Sequence, residues 1–329
     1  MKICVIGCGN MAMSTHLPAM VEYKNRVGGI EIIGCADLNH ENAVKLKNGF
    51  SIGSCYGDYE KMLDELKPDA VVNLTNVAAI ADVSENVLDM GYPVLMEKPP
   101  GEAAADTLRI AAASERSGKM SMVAFNRRYM PVMREAKRRI EGRSITHIDY
   151  CLYCRKRYDS SFEFTGIHAV DAAKFLAGSD YKNVEIFYQE LPHFGEKVAN
   201  YFLFCEFESG ATANVRMIAD THERCEKAEI HLDSRNGDEI VYVTAPRDKD
   251  RSGSGSIEAV SGGYCVYRAE GSDFCQTEES YELHGFYGEH EAFYNYLKEG
   301  KPSPDDAASA VQSVAISECI KNRVRAYKK

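Results

Sequence analysis

The sequence predicts an α/β protein in which an N-terminal, doubly wound parallel sheet is followed by a domain built on a large, mainly antiparallel open sheet. Three observations predict it. The chain opens on an apolar run, Ile3, Val5 and Ile6, that feeds straight into a Gly7-Cys-Gly9 turn. Short apolar runs then alternate with helical stretches as far as Ala124, the pattern of parallel strands joined by crossover helices. From about Ser144 strand follows strand, joined by turns such as Glu208-Ser-Gly210 and Arg235-Asn-Gly237, which suit antiparallel hairpins.

The first strand is apolar on both faces, as a buried parallel strand requires. Gly7 allows a tight turn, and Gly9 lets the backbone come close to a pyrophosphate. Ala12 replaces the third glycine of the usual dinucleotide fingerprint and still permits close helix–strand packing. A helix from about Asn10 to Tyr23 turns its first N–H groups, at Asn10 and Met11, toward the phosphates. The same glycines also suit an ordinary tight turn, so the next strand matters. It runs from Ile30 to Ala36 and ends in Asp37, an acid placed to accept hydrogen bonds from the adenosine ribose. The interval from the glycines exceeds the usual distance of about 20 residues, and the polar Lys24–Gly29 turn accounts for the extra length. Leu38, Asn39 and His40 follow, with no Arg or Lys to receive a 2′-phosphate, which favours NAD over NADP. The plainer alternative is that Asp37 caps the helix beginning near Glu41.

The alternation continues with helices at Glu41–Asn48 and Tyr59–Leu66, a strand at Asp69–Thr75 and a helix at Ile80–Met90. A strand at Pro93–Met96 leads into Glu97-Lys98-Pro99, and a helix at Ala103–Ser117 precedes a strand at Met120–Ala124. Ligands of such sheets bind beyond the carboxyl ends of the strands, where Gly7, Asp37, Thr75, Asn76, Glu97 and Asn126 fall. Six later strands are expected, at Thr146–Cys154, Val184–Gln189, Asn200–Phe207, Ala211–Ile218, Ala228–Leu232 and Glu239–Val243. One internal helix, Ile167–Leu176, and a polar loop, Arg247–Gly255, accompany them. Helical stretches at Gly288–Leu297 and Asp306–Tyr327 close the chain. The expected division is a dinucleotide-binding domain over residues 1–124 and a substrate-binding and oligomerisation domain over 125–329, with the C-terminal helix packing back on the first.

Composition narrows the partners. A net charge of −10 argues against nucleic acid, which wants a basic face. No apolar stretch approaches the roughly 18 residues of a membrane span, and the strand at Met1 leaves no room for a leader ahead of it, so a cytoplasmic protein is expected. Eleven cysteines are scattered, mostly inside apolar strands, and read as small buried hydrophobes. Cys151 and Cys154 fall in one strand, where positions three apart face opposite sides, so no metal is expected there.

Four motifs, in their order and spacing, carry a family resemblance over roughly the first half of the chain. They are Gly7-Cys-Gly9-Asn-Met with downstream His16-Leu-Pro18, Glu97-Lys98-Pro99, Ala124-Phe-Asn126-Arg-Arg128-Tyr-Met-Pro131, and Gly166-Ile-His168-Ala-Val-Asp171. The terminal Glu289-His-Glu-Ala-Phe and Gly300-Lys-Pro302 segments add to it. The sequence resembles the Gfo/Idh/MocA oxidoreductases. That resemblance implies NAD(P)-dependent oxidation of a secondary alcohol of a sugar, cyclitol or related small molecule, with Lys98 and His168 at the reacting carbon. It also implies dimers or tetramers formed through the second domain's sheet. The chemistry agrees: hydride leaves a carbinol as a base takes the hydroxyl proton, and a nearby cation stabilises the developing alkoxide. His168 has a suitable unperturbed pKa, Lys98 supplies the charge, and Glu97 orients Lys98. A surface lysine and a core histidine are the plain alternatives, and Asp171 is read as an anchor for its helix.

One departure stands out. Sugar-oxidising relatives carry an aspartate four residues before this histidine, and here that position is Phe164. Glu163 beside it faces elsewhere if the segment is extended. The family's histidine after the third strand is also replaced, near Ile80. An aromatic wall then meets the substrate, or Tyr158 serves as an acid. Arg155, Lys156 and Arg157 leave the first strand of the second domain, with Arg155 and Arg157 on one face by alternation. These two arginines, with Arg128, are expected to contact an acidic substrate. Three function classes stay open: a dehydrogenase, an enzyme that recycles bound NAD to cleave glycosides, and a non-catalytic NAD-binding sensor.

Overall fold

The first sheet has six parallel strands in the order β3-β2-β1-β4-β5-β6. These are β1 (Lys2–Ile6), β2 (Glu31–Ala36), β3 (Ser54–Tyr56), β4 (Ala70–Asn73), β5 (Val94–Glu97) and β6 (Ser121–Ala124). The computed structural model describes residues 1–158, 161–236, 238–246 and 253–329. It divides into two units, Met1–Asn126 with Phe286–Val314, and Arg127–Gly285 with Ala315–Lys329. Residues 247–252 of the polar loop expected at Arg247–Gly255, and Gly237 of the expected Arg235-Asn-Gly turn, lie outside the described residues.

In the first unit the crossover helices are α1 (Leu17–Arg26), α2 (His40–Phe50), α3 (Tyr59–Leu66), α4 (Val77–Asp89) and α5 (Ala104–Ser117). Local chemistry starts three of them. Side-chain oxygens of Asn39, Asp58 and Asn76 accept N–H bonds from Glu41, Glu60 and Ala79 at 3.1, 2.9 and 3.2 Å, filling otherwise orphaned donors. The strand β3 was not anticipated. It has three residues and no apolar run, and it exists because Cys55 pairs with Cys35 of β2.

Residues far along the chain finish this unit. Helix α9 (Phe286–Glu299) lies on α1, with Tyr294 4.8 Å from the buried Tyr23 ring and the Lys298 Nζ donating to the Tyr23 hydroxyl at 2.7 Å. The edge of β6 is covered too: Val123 N–H donates to the Asp305 carbonyl at 2.8 Å, and Ala307 N–H to the Ser121 hydroxyl at 3.2 Å. Covering an edge removes a template for unwanted strand pairing.

The second unit holds nine strands in the order β14-β13-β12-β11-β7-β10-β9-β8-β15. They are β7 (Ile145–Tyr153), β8 (Tyr181–Glu190), β9 (Ala199–Phe207), β10 (Thr212–Ile218), β11 (Cys225–Leu232), β12 (Ile240–Thr244), β13 (Ser256–Ser261), β14 (Tyr264–Glu270) and β15 (Ala326–Lys328). β10 runs parallel to β7, and the other neighbours are antiparallel. Helices α6 (Pro131–Ile140) and α7 (Glu163–Ala177) supply Val132, Met133, Val170 and Leu176 to a core shared with Ile148, Leu152, Leu203 and Val215. On the other face of β9 and β8, Phe204 and Phe187 are about half exposed and meet edge to face at 5.4 Å. A short α8 (Ser280–Leu283) precedes α9, and α10 (Ala307–Lys321) is divided between the units after Val314.

Two expectations are corrected. Helix does not continue to Tyr327: Val324 N–H and Arg323 N–H close α10 on the Cys319 and Ile320 carbonyls, with Arg323 left-handed at φ 56°. Residues 326–328 then pair with β8 as a strand. The residues before Ile167 are not extended either, because α7 begins at Glu163.

Two buried ion pairs hold the start of the second unit. Arg128 clamps Asp171 of α7 at 2.8 and 2.5 Å. Arg127 meets Glu226 of β11 at 3.3 and 3.2 Å, and the Tyr150 hydroxyl donates to the same carboxylate at 2.6 Å. Burial works to raise the Glu226 pKa, but the guanidinium and the phenol outweigh it and hold the carboxyl below its ordinary value. A carboxyl depressed in the folded state stabilises above its unfolded pKa and loses that stabilisation as pH falls through the folded one. Glu226→Ala, which strands Arg127, should lose about 3–5 kcal/mol at pH 7. Urea midpoints should show the gap between wild type and variant narrowing as pH drops below about 4.5.

Candidate active site

A cavity of about 700 Å³ opens at the carboxyl ends of β1, β2, β4 and β5 in the first unit, within the usual range for a small-molecule site. Its wall is the set of turns that the strand order brings together. Gly7, Gly9, Asn10 and Met11 come from the first turn, Asp37 follows β2, Thr75 and Asn76 follow β4, and Glu97 and Lys98 close β5. The order reverses between β1 and β4, and open α/β sheets bind ligands at such a reversal. Asn126 lies past β6, buried and outside this wall.

The two glycines do different work. Gly7 has φ 88°, and a Cβ there would sit 2.6 Å from the Leu74 carbonyl carbon and oxygen and 2.8 Å from Thr75 N. A Cβ on Gly9 would meet nothing within 4 Å and would project into open space at the cavity. That empty cradle, at the start of a helix, fits a pyrophosphate approached by bare backbone. Asp37 stands beside it. One carboxylate oxygen accepts the Cys8 N–H at 2.7 Å and the other the Asn39 N–H at 2.8 Å, so the acid also ties the glycine turn to the end of β2. Thr75 is fixed through Asn73, whose Oδ1 accepts its hydroxyl at 2.8 Å, and Asn76 caps α4.

The helix after Gly9 contains a feature the sequence reading missed. Its turn Ala12–His16 is a π-turn, with Leu17 N–H reaching back to the Ala12 carbonyl. Pro18 follows; it has no N–H to give and presses on the carbonyl four residues back, so a widened turn ahead of it relieves the clash. This turn places His16 in the core, fully buried. Its Nε2 lies 2.9 Å from Glu97 Oε1 and its Nδ1 3.0 Å from His290 Nε2, with Glu289 Oε1 3.8 Å away. The other Glu97 oxygen accepts the Lys98 N–H at 2.9 Å. Burial acts to raise the Glu97 pKa, but His16 and Lys98 prevail and keep the carboxyl below its ordinary value. Burial, aided by His16, drives the His290 pKa well below the histidine range, so this ring is neutral. His16, Glu289 and His290 bring potential ligand atoms within 4.8 Å of one another. The signal for this cluster lay in two motifs quoted separately, His16-Leu-Pro18 and Glu289-His290, whose meeting only the fold reveals.

The second unit places His168 in α7, buried. Phe164 is on the same helix one turn earlier, half-buried, with Lys321 Nζ 5.6 Å above its ring. Arg128 is committed to Asp171 of that helix, which gives Asp171 its anchoring role. Strand alternation does not govern Arg155 and Arg157, because β7 ends at Tyr153 and Lys156 turns left-handed at φ 56°. Lys156 N–H and the Tyr158 hydroxyl instead donate to Asp220 at 2.9 and 2.7 Å. The hydrogen bond to Asp220 raises the Tyr158 pKa, which makes it a poor proton donor. Arg155 is exposed and Arg157 half-exposed.

Residues 1–125 match the profile described as an oxidoreductase family with an NAD-binding Rossmann fold, GFO_IDH_MocA. The chain therefore resembles the Gfo/Idh/MocA oxidoreductases over its N-terminal 125 residues. Its first unit is an NAD-binding Rossmann domain, and the cradle at Gly9 with the acid at Asp37 fits that cofactor. An inositol 2-dehydrogenase of Salmonella paratyphi B is 26% identical over 198 residues, 57% of this chain and 58% of the relative. A D-apiose dehydrogenase of Paraburkholderia graminis is 27% identical over 54% of this chain and 50% of its own length. The chain thus spans about half the length of these relatives. The fold is shared over nearly the whole chain with an Agrobacterium radiobacter oxidoreductase solved with NAD+, L-tartaric acid and magnesium, at a TM-score of 0.80, 16% identity, and 99% and 98% coverage of the two chains.

The glycine geometry makes a paired prediction. Gly7→Ala must strain the backbone and displace the Leu74 peptide, and should cost at least about 2 kcal/mol in a urea melt. Gly9→Ala should stay within about 0.5 kcal/mol of wild type while weakening NAD+ binding measured by calorimetry.

Proposed function

We propose that this protein is an NAD-dependent dehydrogenase acting on a CH–OH group of a sugar-like or cyclitol-like small molecule, including acidic relatives of these. The observation that carries the reading is the single cavity in which the Gly9 cradle, Asp37 and Lys98 share one wall. Gly7, Gly9, Asn10 and Met11 would hold the pyrophosphate, Asp37 the adenosine ribose, and Thr75, Asn76 and Glu97 the remaining wall. Bound NAD+ supplies a hydride acceptor at its nicotinamide ring.

The chain's own residues do the rest. Lys98, placed by Glu97, presents positive charge to the carbinol oxygen and lowers the barrier to losing its proton. His168 takes that proton on its imidazole and returns it in the reverse direction. Arg155, exposed past the end of β7, and Arg157, partly buried beyond it, suit a carboxylate-bearing substrate. Phe164, one turn before His168, offers a flat apolar surface for the ring face of a sugar or cyclitol. The relatives named for inositol and D-apiose support this substrate class. The half-exposed Phe187 and Phe204 support a homo-oligomer closed through the outer face of the second sheet, since such paired aromatics are favoured at interfaces.

The test is calorimetric titration with NAD+ and NADP+ followed by a polyol and sugar-acid screen read as NADH. Wild type should prefer NAD+, and Asp37→Asn, which loses a charged acceptor, should weaken NAD+ by about 10-fold or more. Lys98→Ala should lower kcat by at least about 100-fold with NAD+ affinity little changed. Absence of binding to either cofactor would remove the reading. For the assembly, light scattering should give a dimer or tetramer that Phe204→Glu dissociates.

A further inference from the structure

The buried side chains behind the cavity form a continuous chain of contacts that ends on the lysine. His290 Nε2 is 3.0 Å from His16 Nδ1, His16 Nε2 is 2.9 Å from Glu97 Oε1, and Glu97 Oε2 accepts the Lys98 N–H at 2.9 Å. His16 and His290 are fully buried and Glu97 is 8% exposed. Proton counting fixes the direction at the important end. A carboxylate only accepts, so His16 Nε2 carries the hydrogen toward Glu97. Between the two rings one nitrogen donates and the other accepts, and either arrangement leaves that Nε2–H in place.

We propose that His16 is a positioning residue for Lys98, acting through the Glu97 carboxylate. The inference rests on the reading of Lys98 as the charge that faces the carbinol oxygen. With one oxygen held by His16 and the other by the backbone of Lys98, the carboxylate cannot rotate, and the residue after β5 is fixed relative to the cavity wall. His290 holds the far side of the imidazole, so helix α9 takes part in placing a side chain that lies elsewhere in the sequence. Small displacements matter at such a site, since a shift of about 1 Å in a reacting group can reduce turnover by about 100-fold.

The test uses the full-length protein and reads Lys98 directly. Reductive ¹³C-methylation labels the lysines, and Lys98→Arg assigns the Lys98 signal. In His16→Leu the signal should move from its own position into the envelope of surface lysines. On unlabelled protein kcat should fall about 10–100-fold, while the KM and Kd for NAD+ change less than about threefold. His16→Gln, which keeps an N–H within reach of Glu97, should restore the Lys98 signal and bring kcat to within about threefold of wild type. Where His16→Leu does not fold, Glu97→Gln preserves the volume and should shift the Lys98 signal in the same way. An unmoved Lys98 signal in a folded His16→Leu protein overturns the proposal. Equal behaviour of the Leu and Gln variants overturns it as well. So does one equivalent of zinc in the purified protein that is lost on Glu289→Gln, because the cluster is then a metal centre. Failure of wild type to oxidise any alcohol counts against the dehydrogenase reading alone, since the Lys98 signal is read without turnover.

Discussion

The near-contact of Gly7 with the Leu74–Thr75 peptide is the constraint on which the first unit depends. At that point two neighbouring parallel strands end and the chain turns away from the sheet on each side. The backbones come so close that a single added carbon overlaps a carbonyl. The closeness sets where the first turn lies, and the turn sets where its helix begins and which way Gly9 faces. Cofactor cradle, acid and lysine share a wall because three loops converge on one narrow gap.

The same region shows how a helix irregularity becomes useful. A regular helix through Ser14 and Thr15 would carry the following residues around by a fixed angle. The widened turn ahead of Pro18 alters that angle, and His16 reaches the interior, where it meets a carboxylate from the end of β5. Two features that local propensity disfavours, a proline within a helix and a histidine within a core, are thereby compatible. Their compensation is a set of contacts with residues of α9.

The sequence was most legible where a single physical rule decides. Apolar runs buried on both faces marked β1, β2, β4, β5 and β6. It was least legible where pairing is supplied by a neighbour. β3 and β15 are three residues each and pair along the edges of strands made elsewhere. β13 and β14 were also missed; a Gly262-Gly263 turn joins them into a hairpin. The start of α7 was misread as extended because Phe162, Glu163 and Phe164 show no helical period on their own, although the packing of Phe162 beside Tyr201 stabilises the turn. For the candidate site, Gly7, Gly9, Asp37 and Glu97 were legible from strand position and Lys98 from the family motif, and all of them line one cavity. Arg128 was read as a ligand contact, whereas the fold commits it to Asp171, a partner 43 residues away. His16 and His290, 274 positions apart, could not be paired by any local pattern.

The return of Phe286–Val314 to the first unit has a consequence for the order in which the protein is made. During synthesis the parallel sheet emerges early, yet the segments that cover the β6 edge and the face of α1 follow only after all of Arg127–Gly285. Until then the nascent sheet presents an open edge and an uncovered aromatic, Tyr23, to the crowded surroundings of the ribosome. The nucleotide-binding half therefore completes its tertiary structure only after the whole of Arg127–Gly285 has been made, and its cofactor pocket gains its rear support from helix α9 only at that stage.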